Sequence, residues 1–269
     1  MGGEFSRYAN PMPKLAANLS MLFTELGFLE RFGAARKAGF RAVEYQYPYD
    51  FPLQDVAAAA REAQVQVVLH NVPRGDAKRG EQGTACLPGR QDEFRRDLER
   101  AVEYAKAAGC PRLHCLAGVV PPNADRAALH STYIANLKYA AARLQREGMR
   151  LLIEPVSERT AENYFLGGSA QAIRVLDEVG AENAFLQYDF FHMQILEGDL
   201  AARAERLLPR IGHMQVADAP GRNEPGTGEI NFDFLLKRVD AMGYAGWIGC
   251  EYNPAGDTLE GLKWAKPYL

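Results

Sequence analysis

A chain of 269 residues is long for one small domain and short for two, a length at which a single large α/β core is common. An apolar share of 47% and a charged share of 24% exclude disorder and fibrous repeats, and a net charge of −3 with no dense Lys/Arg run argues against a nucleic-acid surface. No stretch approaches the roughly 18 to 20 continuous apolar residues of a membrane span, so neither nucleic acid nor membrane is expected as a partner.

Residues 1–11, MGGEFSRYANP, carry neither the apolar stretch of a signal peptide nor any periodicity. They read as an expression remnant or frayed tail, with Met12 as a natural start and 12–269 as one domain. The first apolar run is Lys14–Ser20, followed by Ala42–Tyr47 and Val65–Val72. Next comes a helical stripe of Phe94, Leu98, Val102 and Ala105, then the run Arg112–Gly118. A second stripe, Leu129, Tyr133, Leu137, Ala141 and Leu144, leads to Arg150–Val156. Three further runs complete the set: Ala184–His192, Ile211–Asp218 and Trp247–Pro254. Gly39, Gly109, Gly148, Gly180 and Gly243 each stand just before a run, where a helix C-terminus favours a left-handed residue. Eight strand–helix units in about 255 residues predict an α/β fold, a single-domain (β/α)8 TIM barrel. An open doubly wound sheet is the alternative, but no GxGxxG follows the first strand. Cys86, Cys110, Cys115 and Cys250 form no CxxC pair and read as reduced thiols of a cytoplasmic protein.

A barrel places its chemistry at the C-terminal ends of its strands. Run five ends with Glu154, run six with Asp189 and His192, run seven with Gln215 and run eight with Glu251. Carboxylates inside apolar runs are costly to desolvate unless they are paired or bind a metal. Lys and Arg lie mostly in the helical segments, so a divalent cation is the expected counter-charge, and an oxygen-rich donor set suits Mg²⁺ or Mn²⁺. Any one such Glu is more often a rim ion pair, but four polar residues on consecutive strands are hard to explain that way. Glu44 ends run two in a similar manner and reads as a substrate-orienting group or as one that hydrogen-bonds across the barrel mouth. His70, and His213 on the same strand face as Gln215, read as substrate-facing or packing groups. The segment PGRNEPGTGEI carries Arg222, suited to a bidentate grip on a substrate carboxylate, although a solvated loop arginine is the plain alternative. A phosphate cradle there is disfavoured by the neighbouring acids.

The strings NLSMLFTE, IEPV, QYDFFHMQILEGDL, IGHMQVADAPGRNEPGTGEINF and GWIGCEYNP resemble the hydroxypyruvate isomerase family of xylose-isomerase-like barrels, which includes 2-oxo-tetronate isomerase. The likeness covers residues 13–264. It implies metal ligands at Glu154, Asp189, Gln215 and Glu251, with Glu154 and Glu251 doubling as the proton-transferring pair. Beside it, the residues themselves read His192 as a charge-stabilising contact to a substrate oxygen or a satisfied core histidine, and Arg222 or a histidine as the holder of the acid group. The resemblance implies a small oxo acid or sugar acid as partner and leaves a homo-oligomer open. Phe191, Ser157, His70 and Ala77 depart from the family pattern without touching the metal and acid–base set. The rival expectations are a ketose 3-epimerase, an endonuclease IV-like enzyme with a histidine-held zinc cluster, and a non-catalytic sugar-acid binder. Only five histidines and a negative chain oppose the nuclease.

Overall fold

Each apolar run begins within one residue of an observed strand, and each strand ends before its run does. The computed structural model describes residues 13–269, so the reading of residues 1–11 lies outside it. The strands are β1 (Lys14–Asn18), β2 (Ala42–Tyr45), β3 (Gln66–Asn71), β4 (Arg112–His114), β5 (Arg150–Ile153), β6 (Ala184–Asp189), β7 (Ile211–Val216) and β8 (Trp247–Cys250). They pair in parallel in chain order, and β8 returns to β1 with Leu15 opposite Ile248, closing the TIM barrel that the alternation predicts. The run ends beyond the rim form the loops over the barrel mouth.

Outward-facing strand residues such as Leu151, Ile153, Met214, Val216 and Ile248 join the helix-layer core. Each such side chain withdrawn from water contributes about 1.5–3 kcal/mol. The helices that cover them are α1 (Phe28–Lys37), α2 (Leu53–Glu62), α3 (Gln91–Ala108), α4 (Arg126–Gln145), α5 (Ser169–Val179), α6 (Phe190–Leu196), α7 (Leu200–Leu207), α8 (Phe232–Ala241) and α9 (Thr258–Gly261). Both stripes read from the sequence are buried in α3 and α4. The α3 helix stops at Gly109 in the left-handed region (φ +65°), where its N–H closes the last turn on Ala105. Inside the barrel floor, Ala16, Ala42 and Val68 form a small apolar layer against Trp247. Among the described residues no helix is long and apolar enough to cross a membrane, and all four cysteines are buried free thiols.

Two irregularities set which residues face the mouth. The β2–β3 register shifts between Val43 and Glu44, so Tyr45 lies opposite His70. The β6–β7 register shifts between Leu186 and Gln187, so Asp189 lies opposite Gln215. Bulges of this kind re-aim side chains. A third departure is at His192: strand six ends at Asp189, and His192 stands in the first turn of α6. The Asp189 carboxylate starts that helix by accepting the Phe191 N–H at 2.9 Å.

Candidate active site

At the barrel mouth, Glu154, Asp189, Gln215 and Glu251 follow or end β5, β6, β7 and β8 in turn, and all four are buried. Glu154 and Glu251 line one cavity of about 190 Å³, together with His192, Arg222, His114 and Asn71. The cavity shares Gln82, Thr160 and Ala161 with a wider outer hollow of about 680 Å³.

Arg222, read from the sequence as a grip on a substrate carboxylate or as a solvated loop residue, turns into the site and supplies counter-charge to its acids. Its Nη2 donates to Glu251 at 2.7 Å and lies 3.6 Å from Asp189, with the guanidinium over the Phe191 ring. The residue adopts φ +57°, a left-handed backbone costly for a side chain this large, and so reaches in from the loop after β7. Arg222 is thus occupied by the site's own acids, not left free for a substrate carboxylate. Glu251 also accepts from Gln46 at 3.0 Å and Asn18 at 3.3 Å.

Below the acids runs a buried polar network. Glu44 accepts from Asn18 (2.9 Å) and Gln215 (2.7 Å) and contacts His213 Nε2 at 2.6 Å. The Gln215 amide oxygen in turn accepts from Gln187 at 2.6 Å. Glu44 and His213 therefore support the floor and do not line the cavity. His70 takes the packing alternative of its two readings: the β2–β3 shift turns it outward, where it stacks on Tyr45 with ring centroids 5.7 Å apart. Asn71, one residue on, faces the cavity in its place. Strand alternation alone gave no sign of the bulge. Asn71 and His114 are cavity residues the sequence reading did not select, although His114 is a polar residue inside an apolar run, as the chosen acids are, and ends β4.

Burial raises the pKa of Glu154 well above the carboxylate range, and the charges of Glu251 and Asp189 add to it while Arg222 opposes. Asp189 is raised to about 7 by burial, against Arg222. Glu251 is raised by burial and by Glu44, with Arg222 again opposing. Burial lowers His114 to about 3 and His192 well below the imidazole range, so both are neutral. The Ser157 N–H points at His192 Nδ1 (3.3 Å), which assigns the hydrogen to Nε2, on the Asp189 side.

Donor atoms of Glu154, Asp189 and His192 lie within 4.8 Å of one another. Glu154 Oε1 and Asp189 Oδ2 are buried with no hydrogen-bond partner among the described residues. Orphan carboxylate oxygens are costly, and a hard divalent cation satisfies them. The residues present fit such an ion, with His192, protonated at Nε2, better suited as a hydrogen-bond donor than as a ligand.

Residues 32–268 match the family model described as xylose isomerase-like TIM barrel. The chain is 46% identical over 258 residues to a 2-oxo-tetronate isomerase of Pectobacterium atrosepticum, covering 96% of this chain and 98% of that one. It is 44% identical over 257 residues to a hydroxypyruvate isomerase of Escherichia coli K12, covering 96% and 100%. A solved structure from Brucella melitensis, described as an AP endonuclease of family 2, superposes with a TM-score of 0.93 at 41% identity, over 96% of this chain and 99% of that one.

Proposed function

The chain belongs to the xylose isomerase-like TIM-barrel family, as an isomerase of the hydroxypyruvate and 2-oxo-tetronate isomerase group, and from this we propose that it interconverts hydroxypyruvate and tartronate semialdehyde. The observation that carries the reading is that Glu154, just after β5, and Glu251, just after β8, three strands apart in the ring, face one small polar cavity. Two carboxylates across a substrate suit a proton shuttle. One takes a proton from the hydroxymethyl carbon, leaving an enediolate; a proton is then delivered to the former carbonyl carbon. The hydroxyl oxygen gives up its hydrogen and the carbonyl oxygen gains one, so no oxidant or reductant is needed.

Burial raises the pKa of both glutamates and so favours the protonated form that a proton donor needs. His192 presents its Nε2–H to a substrate oxygen. Arg222 holds Glu251 in place and limits the repulsion among the acids. Glu154, Asp189, Gln215 and Glu251 would hold a divalent cation, Mg²⁺ or Mn²⁺, and when bound it supplies Lewis-acid stabilisation of developing negative charge on oxygen.

The test is a panel of C3 to C6 hydroxy-oxo acids and ketoses assayed in D₂O with Mn²⁺. Turnover of hydroxypyruvate with deuterium at the former carbonyl carbon is expected. A preference for 2-oxo-tetronate would move the substrate within the same group. Deuterium at C3 of a ketose whose carbonyl stays at C2 would instead make the protein a 3-epimerase, and no turnover at all would leave a binder. EDTA is expected to abolish activity and Mn²⁺ or Mg²⁺ to restore it; full activity in stripped protein would defeat the metal reading. The description of the Brucella protein favours a second test, plasmid nicking with zinc. No cleavage is expected, because the chain is net negative and its candidate cluster holds a single histidine.

A further inference from the structure

Two guanidiniums line the cavity, Arg74 and Arg222. Arg222 is committed to Glu251 and Asp189 through Nη2, and its one unpartnered donor, Nε, is buried away from solvent. Arg74 is different. No carboxylate of the described residues lies within ion-pair distance of it, and its side chain makes no hydrogen bond among them. Instead it rests over the face of Tyr47, 4.9 Å from the ring centroid. A half-buried cation held on an aromatic shelf, with its donors unspent, is prepared for an anion.

The backbone beneath it is fixed. The Arg74 carbonyl accepts the Gly83 N–H at 2.9 Å. Gly75, at φ +88°, makes a turn in which a Cβ would run into the Glu81 carboxylate. Glu81 is gripped by Arg90 through two bonds of 2.8 and 2.9 Å. Arg74 follows β3 and Arg222 follows β7, four strands apart in a ring of eight, so the two cations approach from opposite sides. Asn71 and Gln82, both uncharged, lie on the Arg74 side.

We propose that Arg74 forms the carboxylate subsite, taking the acid group of a small oxo-acid substrate on the β3 side and holding it away from Glu154, Asp189 and Glu251. This deepens the isomerase reading and rests on it. A bidentate guanidinium–carboxylate contact of this kind is what an acid substrate needs in a cavity otherwise rich in negative groups.

The experiment compares full-length wild type with Arg74→Met and Arg74→Lys, their folding checked by circular dichroism and thermal melting. Two substrates are used: hydroxypyruvate, and dihydroxyacetone, in which a neutral CH₂OH replaces the carboxylate. Arg74→Met is expected to raise KM for hydroxypyruvate by about 10- to 100-fold, the range for losing a charge-assisted hydrogen bond, with a smaller fall in kcat. Arg74→Lys recovers part of the loss, and catalysis on dihydroxyacetone changes little. Pyruvate binding by calorimetry is the independent readout, weakened to the same extent in Arg74→Met. A wild type that turns over no oxo acid yet binds pyruvate through Arg74 would sink the isomerase reading and keep the subsite. Unchanged KM and pyruvate affinity in a folded Arg74→Met, an equal loss on both substrates, or no pyruvate binding by wild type would overturn the assignment.

Discussion

Asp189 divides its carboxylate between two tasks. One oxygen caps α6 through the Phe191 N–H, while Oδ2 is buried without a hydrogen-bond partner among the described residues. Burial raises its pKa from 3.8 to about 7, so the folded chain keeps a proton that the unfolded chain has already released. Such a group contributes stability below pH 3.8 and loses it as pH rises through about 7. Above about pH 6.5 the unfolded chain's histidines no longer offset that trend. Metal-free protein is therefore expected to lose stability in urea titrations between pH 6.5 and 8, and Asp189→Asn to flatten the slope; an unaltered slope would remove Asp189 as its source. Glu154→Gln and Glu251→Gln are each expected to cost about 10² to 10⁴ in kcat with the fold retained, measured by steady-state kinetics and melting. The four strand-end residues were legible because carboxylates and amides are out of place in apolar runs. Asn71 was not, since a one-residue register shift is invisible to an alternation argument and exchanged it with His70.

Among the connecting segments, the one after β7 is the most tightly specified. Asp218 accepts the backbone N–H groups of Gly226 (2.8 Å), Gly228 (2.9 Å) and Ile230 (3.0 Å), while its own carbonyl accepts the Arg222 N–H at 2.8 Å. This one carboxylate folds the loop that delivers Arg222 to Glu251. Asp218→Ala strands several backbone donors, and a loss of about 3 kcal/mol is expected in chemical denaturation. Because Arg222 loses its placement as well, kcat/KM is expected to fall even at temperatures where the variant is fully folded. The sequence indicated a Gly/Pro-rich loop here but not its internal organisation, which comes from side-chain-to-backbone bonds that no periodicity encodes. The strands showed the opposite balance. Their starts were readable from the apolar runs, whereas their ends were obscured by apolar residues that continue past the rim.

Across the molecule, closure of the ring supports the site from below. Asn18, Glu44, Gln215 and Gln187 link β1, β2, β7 and β6 through buried hydrogen bonds, and Asn18 continues the chain to Glu251 beyond β8. Gly249 leaves the room for it: a Cβ there would land on the Glu44 carboxylate. Gly249→Ala is expected to cost about 1–3 kcal/mol from overpacking and to disturb the placement of Glu251, which Asn18 links to Glu44, seen as a lower melting temperature with reduced kcat. An unchanged melting temperature would show that the floor yields more easily than its packing implies. Eight repeated units made the barrel legible, but which strands would meet beneath the mouth depended on closure, a long-range property.

The opposed approach of the two guanidiniums has a consequence for how such a protein can diversify. On the proposed assignment, transformation falls to one arc of the ring and recognition to the arc facing it, each borne by its own separately braced connection. Rewriting residues 73–90 can therefore alter which molecules are admitted without disturbing how they are converted, so that appetite and chemistry are free to drift apart.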